Sequence, residues 1–240
     1  MDEFCLHVMK IILKYIISLK ILLWACIAIY PQSYPFRSIS VAEGLQDLIV
    51  NALYKDSLGY IWIGTASSLE RFDGVHLKSF PIPEEGKRKD VNTIIEMPGH
   101  ELWMGNRTGL WKVNGEKLLR VAADTIRSGV YSLCSDGKGT LYIGSESGLF
   151  IYNSKGVERI LLDPNVLSGA NFIMGMALDD RDILWVITRK GLYSVVLSGK
   201  SILFHPCLMN GQVYEDGYNN IYSLESMLYL GTTEKGIITF

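Results

Sequence analysis

Three charged residues at matching places in a repeated pattern are the best candidates for chemistry in this chain: Arg107 in Asn106-Arg107-Thr108, Glu146 in Ser145-Glu146-Ser147 and Arg189 in Thr188-Arg189-Lys190. Each sits in a short polar turn that follows an aromatic-bearing apolar segment. The corresponding turns elsewhere read Thr65-Ala66-Ser67 and Thr232-Thr233-Glu234-Lys235. Guanidinium and carboxylate groups that converge on one face can hold the hydroxyl or carboxylate groups of a ligand. The competing reading of such turns is a solvated surface.

Other groupings are poorer. Asp179, Asp180 and Asp182 have the charge of a calcium loop but not its ordered ligand spacing or terminal Glu, so they read as a turn. His7, His76, His100 and His205 are scattered, without metal-ligand spacing. Ser67-Ser68 has no His or Asp arrangement nearby that would activate a nucleophile. No catalytic residue, metal or cofactor is therefore expected. Trp62, Trp103 and Trp185 offer flat faces on which a sugar could stack. Their strict repetition assigns them instead to packing between repeats, and any site belongs where the repeats differ.

The elements that must position these turns recur at a fixed period. Ile61-Trp62-Ile63-Gly64-Thr65, Leu102-Trp103-Met104-Gly105, Leu141-Tyr142-Ile143-Gly144-Ser145, Leu184-Trp185-Val186-Ile187-Thr188 and Leu228-Tyr229-Leu230-Gly231-Thr232 are spaced 41, 39, 43 and 44 residues apart on their aromatics. Upstream of each lies an apolar pair: Val50 and Leu53, Val91 and Ile94, Val130 and Leu133, Ile173 and Met176, Ile221 and Leu224. Asp56-Ser57-Leu58-Gly59 and Asp136-Gly137-Lys138-Gly139 supply the hydrogen-bonding side chain and positive φ that a reversing turn demands. Gly109-Leu110, Gly148-Leu149 and Gly191-Leu192 open a third strand, and a last short one, such as Leu77 to Phe80, completes the unit. A period near 40 with β character and four hairpin-linked strands is the signature of a propeller blade, which buries its apolar faces only by stacking on neighbours.

The fold class is therefore all-β: a propeller of about five four-stranded antiparallel blades over residues 33–240, preceded by a hydrophobic leader helix in 1–32. The fifth repeat reaches only its third strand, and Tyr34 to Ile39 reads as an extra strand ahead of the first blade. Sharing a blade between the termini would close a five-blade ring; an open or partial ring is the expected state. In the leader, Lys10, Lys14 and Lys20 precede the apolar run Ile21 to Tyr30, a length that suits a signal-peptide core better than a membrane span. A signal peptide and a retained anchor both fit, and either sends the rest of the chain outward into the periplasm. A formal charge of −2 over 240 residues gives no electrostatic case for nucleic acid. The four cysteines form no disulfide framework, since Cys5 and Cys26 lie in the leader and only Cys134 and Cys207 follow it.

The run Val50 to Gly74, with Val-x-x-Leu, Asp-x-x-Gly, Ile-Trp-Ile-Gly-Thr and a Leu-x-x-Phe-Asp-Gly tail, resembles the two-component regulator propeller repeat. That repeat builds the periplasmic sensor region of hybrid two-component system histidine kinases of the Bacteroidetes. Tyr34-Pro35-Phe36-Arg37-Ser38-Ile39 and Glu43-Gly44-Leu45 also look like the start of such a sensor. Departures are Ile187 where Gly is expected, the missing Asp-x-x-Gly turn of the second repeat and the altered fifth repeat. The resemblance implies an outward-facing module that recognises an oligosaccharide and signals through a membrane span to a kinase. With no kinase segment in this chain, it is expected to be a truncated sensor, a stand-alone short propeller, an interaction scaffold or a remnant, and not an enzyme. A propeller lyase or glycosidase is the poorer alternative, because its inner strands should carry paired carboxylates or histidines and those of this chain are apolar. Self-association, or pairing with the remainder of a sensor, is the partner expectation beside the oligosaccharide.

Overall fold

The computed structural model describes residues 3–27, 36–83, 89–198, 201–209, 212–213, 217–225 and 227–239. The chain divides into two compact units, residues 1–38 and 39–240. The first holds one helix, α1 (Glu3–Ile27). Among the described residues no helix is long and apolar enough to cross a membrane.

The second unit is a series of antiparallel sheets, each wound in strict chain order. Blade 1 comprises β1 (Val50–Lys55), β2 (Ile61–Thr65), β3 (Leu69–Phe72) and β4 (Leu77–Phe80). Blade 2 comprises β5 (Val91–Met97), β6 (Glu101–Asn106), β7 (Gly109–Asn114) and β8 (Lys117–Val121). Blade 3 follows as β9 (Val130–Ser135), β10 (Leu141–Ser145), β11 (Gly148–Asn153) and β12 (Gly156–Ile160), and blade 4 as β13 (Ile173–Leu178), β14 (Ile183–Thr188), β15 (Gly191–Ser198) and β16 (Ser201–Pro206). A two-stranded ribbon, β17 (Leu208–Met209) and β18 (Gln212–Val213), leads to blade 5: β19 (Tyr218–Leu224), β20 (Met227–Thr232) and β21 (Ile237–Thr239). The first strands of successive blades lie side by side, β1 on β5, β5 on β9, β9 on β13 and β13 on β19. This is a five-blade propeller whose ring is not closed by hydrogen bonds; the fifth blade has three strands among the described residues.

The repeat aromatics occupy one register: Trp62 faces Tyr54, Trp103 faces Ile95, Tyr142 faces Cys134, Trp185 faces Ala177 and Tyr229 faces Tyr222. Trp62, Trp103 and Tyr142 are buried, while Trp185 and Tyr229 are half-buried. The core is inter-blade rather than central. Trp62, Leu69 and Phe80 of blade 1 pack with Val91, Ile94, Met104 and Trp111 of blade 2, and the same arrangement repeats across the next three interfaces. Two turn aspartates also tether an indole: Asp56 Oδ2 accepts from Trp62 Nε1 at 2.7 Å, and Asp179 Oδ2 accepts from Trp185 Nε1 at 3.1 Å. Asp179 is thus a buried turn anchor, its Oδ1 also accepting from the backbone N–H of Arg181 and Ile183. Asp182 then takes the place of Gly59, with φ 60°.

The glycine after each aromatic has a packing reason. A Cβ at Gly64, Gly105 or Gly144 would lie 2.6, 2.4 or 2.5 Å from Val91, Val130 or Ile173, the first residue of the next blade's first strand. Ile187, the departure noted in blade 4, is fully buried because its cross-strand partner is Gly175, where the other blades carry Ala52, Thr93, Ser132 and Asn220. The small residue has crossed to the neighbouring strand.

Two sequence expectations need correction. In blade 5 the apolar pair is Tyr218 and Ile221, not Ile221 and Leu224: Tyr218 pairs with Thr232 and Ile221 with Leu230, as Val50 does with Thr65 and Leu53 with Ile63. The aromatic Tyr218 fills the place of a β-branched residue, which disguised the register. Phe36 to Ile39 form no strand, and Tyr34 and Pro35 lie outside the described residues. The segment after them instead makes a 3-10 turn, Val41–Glu43, closed by a capping box between Ser40 and Glu43.

Candidate ligand-binding site

The five first strands share an irregularity that shapes the axis of the propeller. In each blade the pairing of the first two strands slips once, between Val50 and Ala52, Val91 and Thr93, Val130 and Ser132, Ile173 and Gly175, and Tyr218 and Asn220. The unpaired residues are Asn51, Asn92, Tyr131, Met174 and Asn219. A bulge frees one residue from the ladder and re-aims its side chain. All five line one cavity of about 960 Å³ at the axis, with Asp90, Arg107 and residues of the neighbouring strand positions. This lies at the upper end of the range of about 300–1,000 Å³ typical of small-molecule sites.

The turn between second and third strand is fixed at the same end. Thr65, Ser145, Thr188 and Thr232 each turn a hydroxyl onto a carbonyl of that turn, those of Ser68, Gly148, Gly191 and Gly236. This capping is why Thr or Ser ends the second strand in four of the five blades. The next residue's N–H then donates to a carbonyl just ahead of the first strand: Ala66 to Ile49, Glu146 to Gly129, Arg189 to Phe172 and Thr233 to Gly217. Arg107, Glu146 and Arg189 therefore stand at equivalent positions beside the mouths of β5, β9 and β13.

The structure brings Glu146 and Arg189 into one chain of contacts and sets Arg107, paired with Asp90, within electrostatic reach of it. Arg107 Nε donates to Asp90 Oδ2 at 2.8 Å, and both line the cavity. Glu146 and Arg189 are not among the lining residues. Glu146 Oε1 accepts from the Tyr131 hydroxyl at 2.6 Å. The Tyr131 ring lies 5.2 Å from that of Phe172, over which the Arg189 guanidinium sits at 3.8 Å. Burial and the Glu146 carboxylate push the Tyr131 hydroxyl up to about 12, so it remains a donor. Asp90 raises the Arg107 guanidinium further. Tyr131, Asp90 and Phe172 escaped the sequence reading, because only the bulge and the strand-entry geometry aim them inward.

A second cluster lies between blades 1 and 2, beside the Asp56 turn. The Ser57 hydroxyl is 2.6 Å from Glu96 Oε1 and 2.8 Å from His100 Nδ1, and that same Nδ1 is 3.1 Å from Glu96 Oε1. His100 is thus less isolated than its sequence position implied. A hydrolytic triad uses one ring nitrogen for the nucleophile and the other for the carboxylate. Here one nitrogen faces both, so the cluster ties two blades together without activating Ser57. Burial opposes it, but the hydrogen bonds from Ser57 and His100 hold the Glu96 carboxyl below its usual range. Among the described residues no group of three or more His, Cys, Asp or Glu could hold a metal ion.

An axial cavity walled by the first strands of radially stacked antiparallel blades defines the class: a β-propeller. The profile of the family Two component regulator propeller matches residues 44–67, which run from Gly44 through the end of β2. That match covers one repeat of the five and agrees with the resemblance noted in the sequence. No curated protein matches the sequence. Among solved structures, the extracellular domain of a one component system from B. thetaiotaomicron superposes with a TM-score of 0.68 at 18% identity, over 88% of this chain and 33% of that one. The extracellular domain of a hybrid two component system from the same organism gives 0.52 at 18%, over 85% and 35%. Virginiamycin B lyase from Staphylococcus aureus gives 0.58 at 16%, over 82% and 71%. These likenesses share the fold. The chain spans about a third of the length of the two extracellular domains.

Proposed function

We propose that this chain is the ligand-binding propeller of an extracytoplasmic two-component sensor, that its ligand is an oligosaccharide, and that the ligand enters the axial cavity at the Arg107 end. The observation that carries the reading is the cavity itself, to which every blade contributes a bulged side chain and whose mouth holds Arg107, with Glu146 and Arg189 behind it. The repeat family and the shared fold of the extracellular domains support a sensory role, and the leader supports a periplasmic or membrane-anchored location. The kinase that would read the bound state is a partner or a continuation, consistent with a chain that covers a third of those domains. Binding without catalysis is favoured because the charged groups at the mouth are paired, Asp90 with Arg107 and Glu146 with Tyr131. The alternative, an interaction scaffold or remnant, predicts no small ligand.

Calorimetric titration of the full chain against an oligosaccharide panel tests the reading, with Arg107→Ala/Arg189→Ala as the comparison. Binding by the parent and its loss in the double variant, at unchanged unfolding midpoint, is the expected result. Equal affinity in both would move the site, and no binding by the parent would favour the scaffold or remnant.

A further inference from the structure

We infer that the bulged residues Asn51, Asn92, Tyr131, Met174 and Asn219 are the specificity-determining lining of the axial cavity, and that they select an uncharged, hydroxyl-rich oligosaccharide over a uronate or sulfated one; this deepens the proposed function and rests on it. The five positions are equivalent by register, and all five line the cavity. Their neighbours in the chain are committed to the fold. Val91, Val130 and Ile173 are fully buried against the preceding blade's glycine, and Ala52, Thr93, Ser132 and Gly175 sit across the ladder from Gly64, Gly105, Gly144 and Ile187. The bulged residue has no ladder partner, so packing does not dictate its type.

Three of the five are nonetheless Asn. A primary amide both donates and accepts, which matches a sugar hydroxyl that does the same. Asn92 spends its Nδ2 on the Val130 carbonyl, at 2.9 Å, and is partly a strap between blades. Asn51 and Asn219 are exposed to the cavity; among the described residues neither amide bonds across a blade interface, and Asn219 Oδ1 accepts only a long bond, 3.5 Å, from Thr233 Oγ1 of its own blade. Tyr131 adds a ring face and Met174 an apolar contact, as the alternating polar edges and apolar faces of a pyranose require.

The charge arrangement selects the class. Among the described residues that line the cavity, only Asp90 and Arg107 are charged, and they are paired at 2.8 Å, so the described wall is neutral. An anionic sugar that reaches Arg107 meets the Asp90 carboxylate already held on its Nε and is repelled by it. A neutral sugar meets no such repulsion.

The test uses the full chain, a linear neutral hexose tetrasaccharide and the uronic acid tetrasaccharide of the same length. The neutral ligand should bind and the uronate should bind at least roughly tenfold more weakly. Asn51→Ala/Asn219→Ala should weaken the neutral ligand by roughly tenfold or more, since each amide can both donate to and accept from a sugar hydroxyl. The unfolding midpoint should not move, because both residues are exposed. If the uronate binds as tightly, or if the double Asn variant binds as the parent does while Arg107→Ala/Arg189→Ala does not, the inference falls and the proposed function stands. If the parent binds neither sugar, nor any in the wider panel, both fall.

Discussion

Placing a methyl group on Gly105 should destabilise the propeller, whereas the same change at Gly231 should not. At Gly105 the new Cβ would lie 2.4 Å from Val130 Cγ1 and 2.8 Å from Thr93 Cγ2. Val130 is fully buried in the interface between blades 2 and 3, so it cannot move away without shifting β9. Overpacking of this kind costs about 1–3 kcal/mol. The loss of unfolded-state freedom on replacing Gly offsets about 0.4–1 kcal/mol of it, leaving a net cost of about 0–2.6 kcal/mol, centred a little above 1. At Gly231 the nearest atoms, all of Asn220, are 3.8 Å away or more, and φ is not positive. Only the unfolded-state term remains there, and Gly231→Ala should be neutral or stabilising by up to about 1 kcal/mol. Urea denaturation followed by tryptophan fluorescence gives both values. Equal shifts in the two variants would refute the view that these glycines exist to receive the next blade.

Three further outcomes follow from the same packing. Trp103→Ala should cost about 3–5 kcal/mol, as the loss of a buried aromatic does, measured by the denaturation midpoint; an unchanged midpoint would mean that the indole does not hold blades 2 and 3 together. Asp182→Gly should stabilise by about 0.5–1 kcal/mol, because φ 60° is unstrained only for Gly and the pair with Lys138, at 3.9 Å, is exposed; a lower midpoint would show that the side chain has a structural role. Burial raises the Glu70 carboxyl above its unfolded value, against hydrogen bonds from Ser68 and the Gln46 N–H that lower it. The protonated form thus favours the fold, in a contribution complete below the unfolded pKa and lost as pH rises through the folded one. Glu70→Gln should flatten that part of the stability–pH curve without loss at neutral pH, and a destabilised variant there would contradict the assignment.

The blades were legible in the sequence because the roles of the first three strands recur five times and that of the fourth four times, and recurrence averages out local ambiguity. Blade 5 resisted because Tyr218 stands where Val or Ile stands elsewhere, so Ile221 and Leu224 offered a false match to the apolar pair. Ile187 looked like a defect until its partner Gly175 could be placed, since cross-strand neighbours are not adjacent in the chain. At the candidate site, the variable turns drew attention to Arg107, Glu146 and Arg189 because they interrupt the repeat. The bulged residues did not stand out. Asn51, Asn92, Tyr131, Met174 and Asn219 occupy an unremarkable variable position, and only the slipped register shows that they face the axis.

Hydrogen exchange of the full chain with and without a bound oligosaccharide tests most directly whether the axial cavity is the sensing site. Protection should appear in residues 49–53, 90–94, 129–133, 172–175 and 218–221 and in the turns 106–108, 145–147 and 188–190, which border the cavity or stand at its mouth. Protection confined to the opposite turns, around residues 56–60 and 98–100, or spread evenly over all blades, would contradict it.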